Sequence, residues 1–343
     1  MGRAARLKRE RKEKGPILGG PEIALQNPVA SSFPAFIVGN APHCDYVVEE
    51  GSAKGQRLVL CGAGPSLREE ITTYAPGADQ IWGCNSALPY LVDQGVPVTH
   101  GLCVDQTAEM VREWWTAPDV EYLVASTIHP HLTEHLLAHG RKLRWFHNFV
   151  GVKKPPVQLP DDEGVMRLLS YEDWLYITLY PGTIRAGSGL NSVTRALDVA
   201  LHMGFAHIDV LGADCYMRVK SRPPDAHIHS PEFQAWLRNE TTMHADGGNA
   251  LASNQSPLTL GAEIDPGTPD DTVRPGHGRW YQTKIDLVIS AVWLVKMEQH
   301  HKGRIQVHGD TLPFALRNKT NAYLARLPGS VSVDGKPIEI VVQ

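Results

Sequence analysis

The amino-acid sequence predicts an α/β protein with a doubly wound, mostly parallel sheet. Short apolar runs alternate with helix-compatible runs from residue 57 onward, which is the pattern of repeated strand–helix units. The first apolar run, 58–61, breaks at a glycine-containing turn before a helical stretch begins at Leu67. A second glycine turn, at 187–189, precedes a helix with apolar residues at helical spacing. These three observations together indicate the fold class.

The individual elements follow from where each apolar run starts and stops. The predicted strands are 58–61, 80–84, 100–104, 121–126, 142–146, 207–211 and 304–308. The predicted helices are 67–74, 86–93, a helix running through Trp114, 132–139, 191–203 and 280–296. Gly204 is the expected stop of the helix 191–203, because glycine readily ends a helix in the left-handed conformation.

The chain of 343 residues divides into three predicted segments. Residues 1–50 lack periodicity and are predicted to form a basic, disordered arm and a leader that wraps the domain. Residues 51–310 are predicted to form a Rossmann-like nucleotide-binding domain, in which 150–180 is an insertion or lid. Within it, 217–279 is rich in proline, glycine and histidine and is predicted to be a long lid-like loop. Residues 311–343 are a C-terminal extension with a hairpin at 331–342.

Charge and composition exclude several classes of protein. The formal net charge is −4, yet the arm at residues 3–14 alone carries +5, which leaves about −9 for the rest. An acidic body makes nucleic-acid binding by the globular part improbable. No apolar run is long enough to span a membrane. The five cysteines are odd in number and include no Cys-x-x-Cys pair, which predicts a reducing, cytoplasmic environment.

The first glycine turn is a candidate phosphate site. Gly62, Gly64, Pro65 and Ser66 lie between a strand and a helix start, where free N–H groups attract anions. The alternative is a plain strand-to-helix turn. A dinucleotide fingerprint would need a third glycine at Leu67, so an NAD enzyme is not indicated, and no P-loop sequence occurs.

Polar residues follow three further predicted strands. Asn85, Asp105 and Asp214 each come at or just after a strand's carboxyl end. Ligands of doubly wound sheets bind outside those ends, so we expect these residues and the glycine turn to share one crevice.

The ordered set of motifs resembles the hydroxymethylpterin diphosphokinase-like family, which includes motility accessory factors implicated in flagellin glycosylation. The same order is similar to that of bacterial sialyltransferases that use CMP-sialic acid. The resemblance covers roughly residues 57–310. It is carried by Leu-Cys-Gly-Ala-Gly-Pro-Ser-Leu at 60–67, Cys-Asn-Ser-Ala at 84–87, Asp105, Gly-Ser-Gly at 187–189, Gly-Ala-Asp at 212–214 and Met-His-Ala-Asp-Gly at 243–247.

The resemblance implies a role for each matched position. The residues of the first turn, Gly62, Gly64, Pro65 and Ser66, would frame nucleotide phosphates. Asn85 would hydrogen-bond ribose or base, and Asp105 would contact ribose or a metal. Ser188 and Gly189 would hold a second phosphate or a sugar carboxylate, and Asp214 would close the crevice. Tyr216 would lie near the leaving phosphate, and His244 would be the general base, a role that suits a side chain titrating near neutrality.

The sequence is compatible with three functions. The first is transfer of a sugar from a nucleotide sugar, CMP- or another NDP-sugar, to the hydroxyl of a small acceptor. The second is diphosphate transfer from ATP to a hydroxymethyl group, with magnesium held by Asp105 or Asp214. The third is a non-catalytic nucleotide- or partner-binding protein. His227 and His229 in the long loop are a weaker metal candidate, Ala63 replaces the asparagine of the sialyltransferase turn, and the oligomeric state is not indicated.

Overall fold

Helices and strands alternate along the computed structural model of the chain. The structure describes residues 32–106, 108, 110–113, 117, 119–152, 154–160, 164–187, 191–216, 218–219, 231, 242–243, 260–264, 279–283 and 285–317. The strands are β1 Arg57–Cys61, β2 Gln80–Cys84, β3 His100–Cys103, β4 Glu121–Ala125, β5 Leu143–Asn148, β6 Val157–Pro160, β7 Met166–Leu169, β8 Arg185–Ala186, β9 His207–Leu211, β10 Arg218–Val219, β11 Thr242–Met243, β12 Leu260–Ile264, β13 Arg279–Thr283 and β14 Ile305–Val307. The helices are α1 Ser32–Asn40, α2 Leu67–Tyr74, α3 Ala87–Asp93, α4 Met110–Glu113, α5 Pro130–Ala138, α6 Tyr171–Leu179, α7 Ser192–Met203, α8 Ile285–His300 and α9 Leu312–Arg317, with a 3₁₀ turn at Ala41–His43.

Eight parallel strands form one sheet, which confirms the predicted fold class. Their spatial order is β14-β9-β1-β2-β3-β4-β5-β8. The chain therefore runs outward from β1 to β8 and then crosses back through α7 to place β9 on the other side of β1. Val59 in β1 is in register with Ile81 in β2 and with Asp209 in β9. The order of strands thus reverses between β1 and β9, as in Rossmann-like sheets.

Each face of the sheet is covered by helices. Val59 and Cys61 pack with Leu67 and Ile71 of α2 on one face. Alternate residues of the same strand, such as Leu60, belong to the larger core that contains α7. Because successive strand residues point to opposite faces, the continuous apolar run of β1 is what a strand buried on both sides requires.

Helix α7 begins and ends as its sequence predicts. The side chain of Asn191 accepts a hydrogen bond from the amide of Thr194, and the Thr194 hydroxyl accepts one from the Asn191 amide. This reciprocal pair satisfies two donors at the helix start. Gly204 adopts φ +86° and ends the helix, which confirms it as the predicted stop.

Two segments without predicted structure belong to the core. Helix α1 buries Ile37 completely, and the segment after it joins the sheet through a bridge between Val47 and Trp145. Residues 150–180 were predicted to be an irregular insertion, but they form the β6–β7 hairpin and helix α6, whose Tyr171 and Leu175 are buried. The helical spacing of the apolar residues 171, 174 and 175 is present in the sequence, but it is short and follows an acidic, proline-containing stretch.

The C-terminal part of the chain differs from prediction at two places. Residues 279–283 form β13, which pairs antiparallel with β12, although the predicted helix began at residue 280, and α8 begins only at Ile285. The aromatic pair Trp280–Tyr281 favours a strand once a partner strand is available. Helix α9, which was not predicted, buries Leu312 and Leu316.

None of the helices in the described part of the chain combines the length and apolar character needed to cross a membrane. The basic arm, the hairpin at 331–342, most of the predicted lid at 217–279, and His227 and His229 lie outside the described residues.

Candidate functional site

The carboxyl edge of the sheet collects most of the predicted site residues that the structure describes. Strands β9, β1, β2 and β3 are consecutive neighbours and all parallel. Their ends lead into Gly212, Gly62, Asn85 and Asp105 respectively. Neighbouring strands lie about 4.8 Å apart, so these four positions share one edge.

The two glycine turns at this edge pack against each other. The amide of Gly62 donates to the Leu211 carbonyl at 2.8 Å, and the amide of Gly64 donates to the Gly212 carbonyl at 2.9 Å. A Cβ atom placed on Gly62 would lie 2.6 Å from the Gly212 oxygen, and one on Gly212 would lie 2.2 Å from the Gly62 oxygen. Glycine is therefore required here by the approach of one backbone to another within the chain.

Asp214 ties the two turns together. Its carboxylate accepts hydrogen bonds from the Ser66 amide at 3.1 Å and from the Ser66 hydroxyl, and both residues are buried. A Cβ atom on Gly64 would lie 2.5 Å from Asp214 Oδ1. The amide at the start of α2, which the sequence suggested for a nucleotide phosphate, already has a carboxylate partner in the chain.

Ser66 is also covered from the C-terminal side. Gly309, with φ +84°, approaches so closely that a Cβ atom on it would lie 2.8 Å from the Ser66 Cβ. The Tyr216 hydroxyl donates to the Asp310 carbonyl at 3.1 Å, and the Leu312 amide donates to the Asp214 carbonyl at 2.8 Å. Pro65 is buried together with Ser66. Residues 309–312 therefore cover the turn that contains Asp214 and Tyr216.

Asn85 has a different environment from the glycine turns. Its backbone adopts φ +45°, a conformation that asparagine tolerates better than most residues and that often marks functional sites. Its amide donates to the Leu102 carbonyl at 3.1 Å, and its carbonyl accepts from Leu88 at 3.1 Å. Its side-chain Oδ1 is buried and has no hydrogen-bond partner among the described residues. Among the described residues, an acceptor without a partner therefore lies at the carboxyl edge of the sheet.

The start of α7 reaches the same edge. The Cys84 thiol contacts the Ser192 carbonyl at 3.9 Å, and a Cβ atom on Gly62 would lie 2.7 Å from Val193 Cγ2. Ser188 and Gly189, which immediately precede this helix, lie outside the described residues, as does His244.

The thiols at the strand ends are unsuited to nucleophilic catalysis and to metal binding. Cys61, Cys84 and Cys103 end β1, β2 and β3, and each is buried and free. Burial raises the pKa of each thiol above its ordinary value. A neutral buried thiol is neither a nucleophile nor a metal ligand. Within the described ranges, no group of three or more histidine, cysteine or acidic residues could hold a metal ion.

Two polar residues farther along the edge were not among the predicted site residues. Asn148 ends β5 and Thr127 lies just after β4, and both are buried. The predicted fifth strand stopped at Phe146, two residues short of this end. The signal that identified Asn85, a polar residue closing an apolar strand, also applies to Asn148.

A buried polar network lies beside β5. The Ser126 hydroxyl and His147 Nδ1 are 2.7 Å apart, and His147 Nε2 lies 3.4 Å from Glu172 Oε1. The Glu172 carboxylate also accepts from the amides of Val150 and Val152, each at 2.7 Å. The serine, histidine and glutamate follow one another as in the catalytic triad of a hydrolase. All three side chains are buried, however, with 0% exposure for Ser126 and His147 and 1% for Glu172. The network therefore fixes the segment after β5 and offers no surface to a substrate.

The chain was compared with protein-family models, curated proteins and solved structures. No protein-family model and no curated protein sequence matches the chain. Among solved structures, the chain is similar to the MAf glycosyltransferase from Magnetospirillum magneticum AMB-1, with 14% identity and a TM-score of 0.48. The match covers 81% of this chain and 37% of that one, so this chain spans little more than a third of that protein's length.

Proposed function

We propose that the chain is a nucleotide-dependent transferase and that it moves a sugar from a nucleotide sugar to an acceptor hydroxyl. The observation that carries this proposal is the unpaired, buried Oδ1 of Asn85 at the carboxyl edge of a doubly wound sheet. That edge is where such sheets bind nucleotides. A side-chain amide can accept from a ribose hydroxyl or a base amine, and pairing removes the cost of an unsatisfied buried acceptor.

We also propose how the donor lies. Ser66 is bonded to the buried Asp214, and a carboxylate repels a phosphate at short range. We therefore assign the nucleoside to the Asn85–Asp105 part of the edge rather than to the first glycine turn. The leaving phosphate is assigned to the segment at Ser188 and Gly189, which precedes the start of α7.

Ligand binding is the first test. In a thermal-shift series with CMP, UDP, GDP and ATP, each with and without magnesium, we expect one nucleotide to stabilise the protein. At about 100 times its Kd the stabilisation is about 2.7 kcal/mol. Asn85→Gly keeps the left-handed backbone accessible but removes the amide, so the variant should fold and lose most of this shift.

The outcomes of that series separate the functions. Stabilisation by CMP, UDP or GDP that is lost in Asn85→Gly supports the proposal. Stabilisation only by ATP with magnesium contradicts sugar transfer and indicates diphosphate transfer. A shift that is the same in Asn85→Gly removes Asn85 from the site.

Turnover is the second test, and it concerns His244. We assign this residue as the base that takes the proton from the acceptor hydroxyl as the sugar is transferred. Loss of a general base costs about 100- to 10,000-fold in rate. His244→Ala should therefore lose turnover by this factor while donor Kd changes little. Unchanged turnover would exclude His244 and move the search to His227 and His229.

A further inference from the structure

A second unpaired acceptor lies on the same edge as Asn85. Asn148 is 4% exposed, and its Oδ1 has no hydrogen-bond partner among the described residues. Its Nδ2 donates to the hydroxyl of Thr127, itself fully buried, at 3.2 Å. This bond holds the amide against Thr127 and leaves its oxygen, at the end of β5, without a partner among the described residues.

Another buried asparagine serves as a comparison, because both the nitrogen and the oxygen of its side-chain amide have partners within the protein. Asn40 is fully buried, and its Nδ2 donates to the carbonyls of Ser126 at 3.1 Å and Ile128 at 2.9 Å. Its Oδ1 accepts from the Thr133 hydroxyl at 2.8 Å. Buried polar atoms are normally paired in this way, so the open oxygen of Asn148 needs a further explanation.

The chemistry of the open atom limits what can pair with it. A neutral amide oxygen accepts hydrogen bonds and repels phosphate and carboxylate oxygens, so its partner must be a donor such as a hydroxyl. Asn148 is three strands from Asn85 in the sheet. At about 4.8 Å per strand the separation is about 14 Å, which a nucleotide joined to a sugar can bridge.

We propose that Asn148, held by Thr127, is a carbohydrate subsite whose Oδ1 accepts a hydrogen bond from a sugar hydroxyl. The assignment rests on the proposed sugar transfer and adds to it the residue that recognises the transferred group. Asn85 binds the nucleoside part of the donor, and Asn148 binds its sugar part.

Paired titrations test the assignment. Calorimetry would compare CMP with CMP-sialic acid and UDP with UDP-glucose, using the wild-type chain and Asn148→Ala. Loss of one neutral hydrogen bond weakens binding by about 5- to 10-fold. We expect this loss for the nucleotide sugar, with the Kd of the bare nucleotide within about twofold of wild type. An equal Kd for the nucleotide sugar in both proteins would overturn the subsite.

Stability gives a second readout that does not require a ligand. Asn148→Ala and Asn40→Ala remove the same atoms from buried positions, but the structure gives Asn40 three hydrogen bonds and Asn148 one. Asn40→Ala should therefore have a Tm lower than that of Asn148→Ala by about 4 °C or more. Equal losses of Tm would show that the Asn148 oxygen is satisfied within the protein and would overturn the subsite.

The failure of the proposed function is distinguishable from the failure of this inference. If the wild-type chain binds none of the four probes, sugar transfer is refuted. Titration with free glucose and free sialic acid, together with the two Tm values, then decides the subsite alone. Binding of a free sugar that Asn148→Ala weakens by about 5- to 10-fold supports it, and no binding or an equal Kd in both proteins overturns it.

Discussion

Glu172→Gln should lower the free energy of unfolding by about 1–3 kcal/mol, the cost typical of leaving a buried hydrogen-bond donor without its acceptor. The carboxylate is 1% exposed and serves the amides of Val150 and Val152 and the ring of His147. A glutamine retains one oxygen, so at least one of these buried donors loses its acceptor. Urea unfolding at neutral pH measures the difference.

Glu121→Gln is the matched control for this change. Glu121 pairs with Arg144 at 3.0 Å and with His100 at 3.2 Å, but its side chain is 25% exposed. Exposed pairs contribute about 0–1 kcal/mol, so the control should lose little stability. Similar losses in the two variants would contradict the role given to the buried network.

The same network predicts a pH dependence of stability. Burial acts to raise the pKa of Glu172, but the nearby His147 ring and the hydrogen bonds from the Val150 and Val152 amides outweigh it and lower the pKa below the ordinary value of 4.5. A carboxyl with a lowered folded pKa stabilises the protein above the unfolded pKa and ceases to do so as pH falls through the folded one. The stability gap between wild type and Glu172→Gln should therefore narrow as the pH falls below 4.5.

Gly212→Ala should also destabilise the protein strongly, because two costs combine. Gly212 adopts φ +61°, and its added Cβ would lie 2.2 Å from the Gly62 carbonyl oxygen. The left-handed backbone costs about 1–2 kcal/mol for an alanine, and overpacking costs about 1–3 kcal/mol more. We expect a total loss of about 2–5 kcal/mol in urea unfolding.

Gly95→Ala separates the two costs. Gly95 has φ +70°, but nothing lies within 4 Å of an added Cβ. The control should therefore show only the backbone cost of about 1–2 kcal/mol. If Gly212→Ala lowered the free energy of unfolding by no more than the control does, the close contact between the two glycine turns would not contribute to stability.

The alternation of apolar and helical runs predicted seven of the eight strands of the main sheet, and the two-residue strand β8 was not predicted. Strands 80–84 and 207–211 have the bounds that the sequence predicts, because parallel strands buried on both faces are continuous apolar runs. Residues 32–40 and 171–179 were not predicted as helices. Their apolar residues are buried by packing against other parts of the chain, which a local sequence pattern does not show. Residues 280–283 were predicted as the start of a helix but belong to a strand that pairs with 260–264.

At the candidate site, the sequence determined which polar residues follow the strands, because a strand's carboxyl end can be read from where its apolar run stops. The tertiary structure alone decided what each of those residues faces. Ser66 and Asp214 are 148 positions apart in sequence, yet their side chains bond to each other. Asn85, Asn148 and Asn40 carry the same amide, and only the surroundings leave the oxygens of the first two without a partner in the part of the chain that the structure describes. Hydrogen-bond satisfaction depends on groups distant in sequence, so no local pattern can encode it.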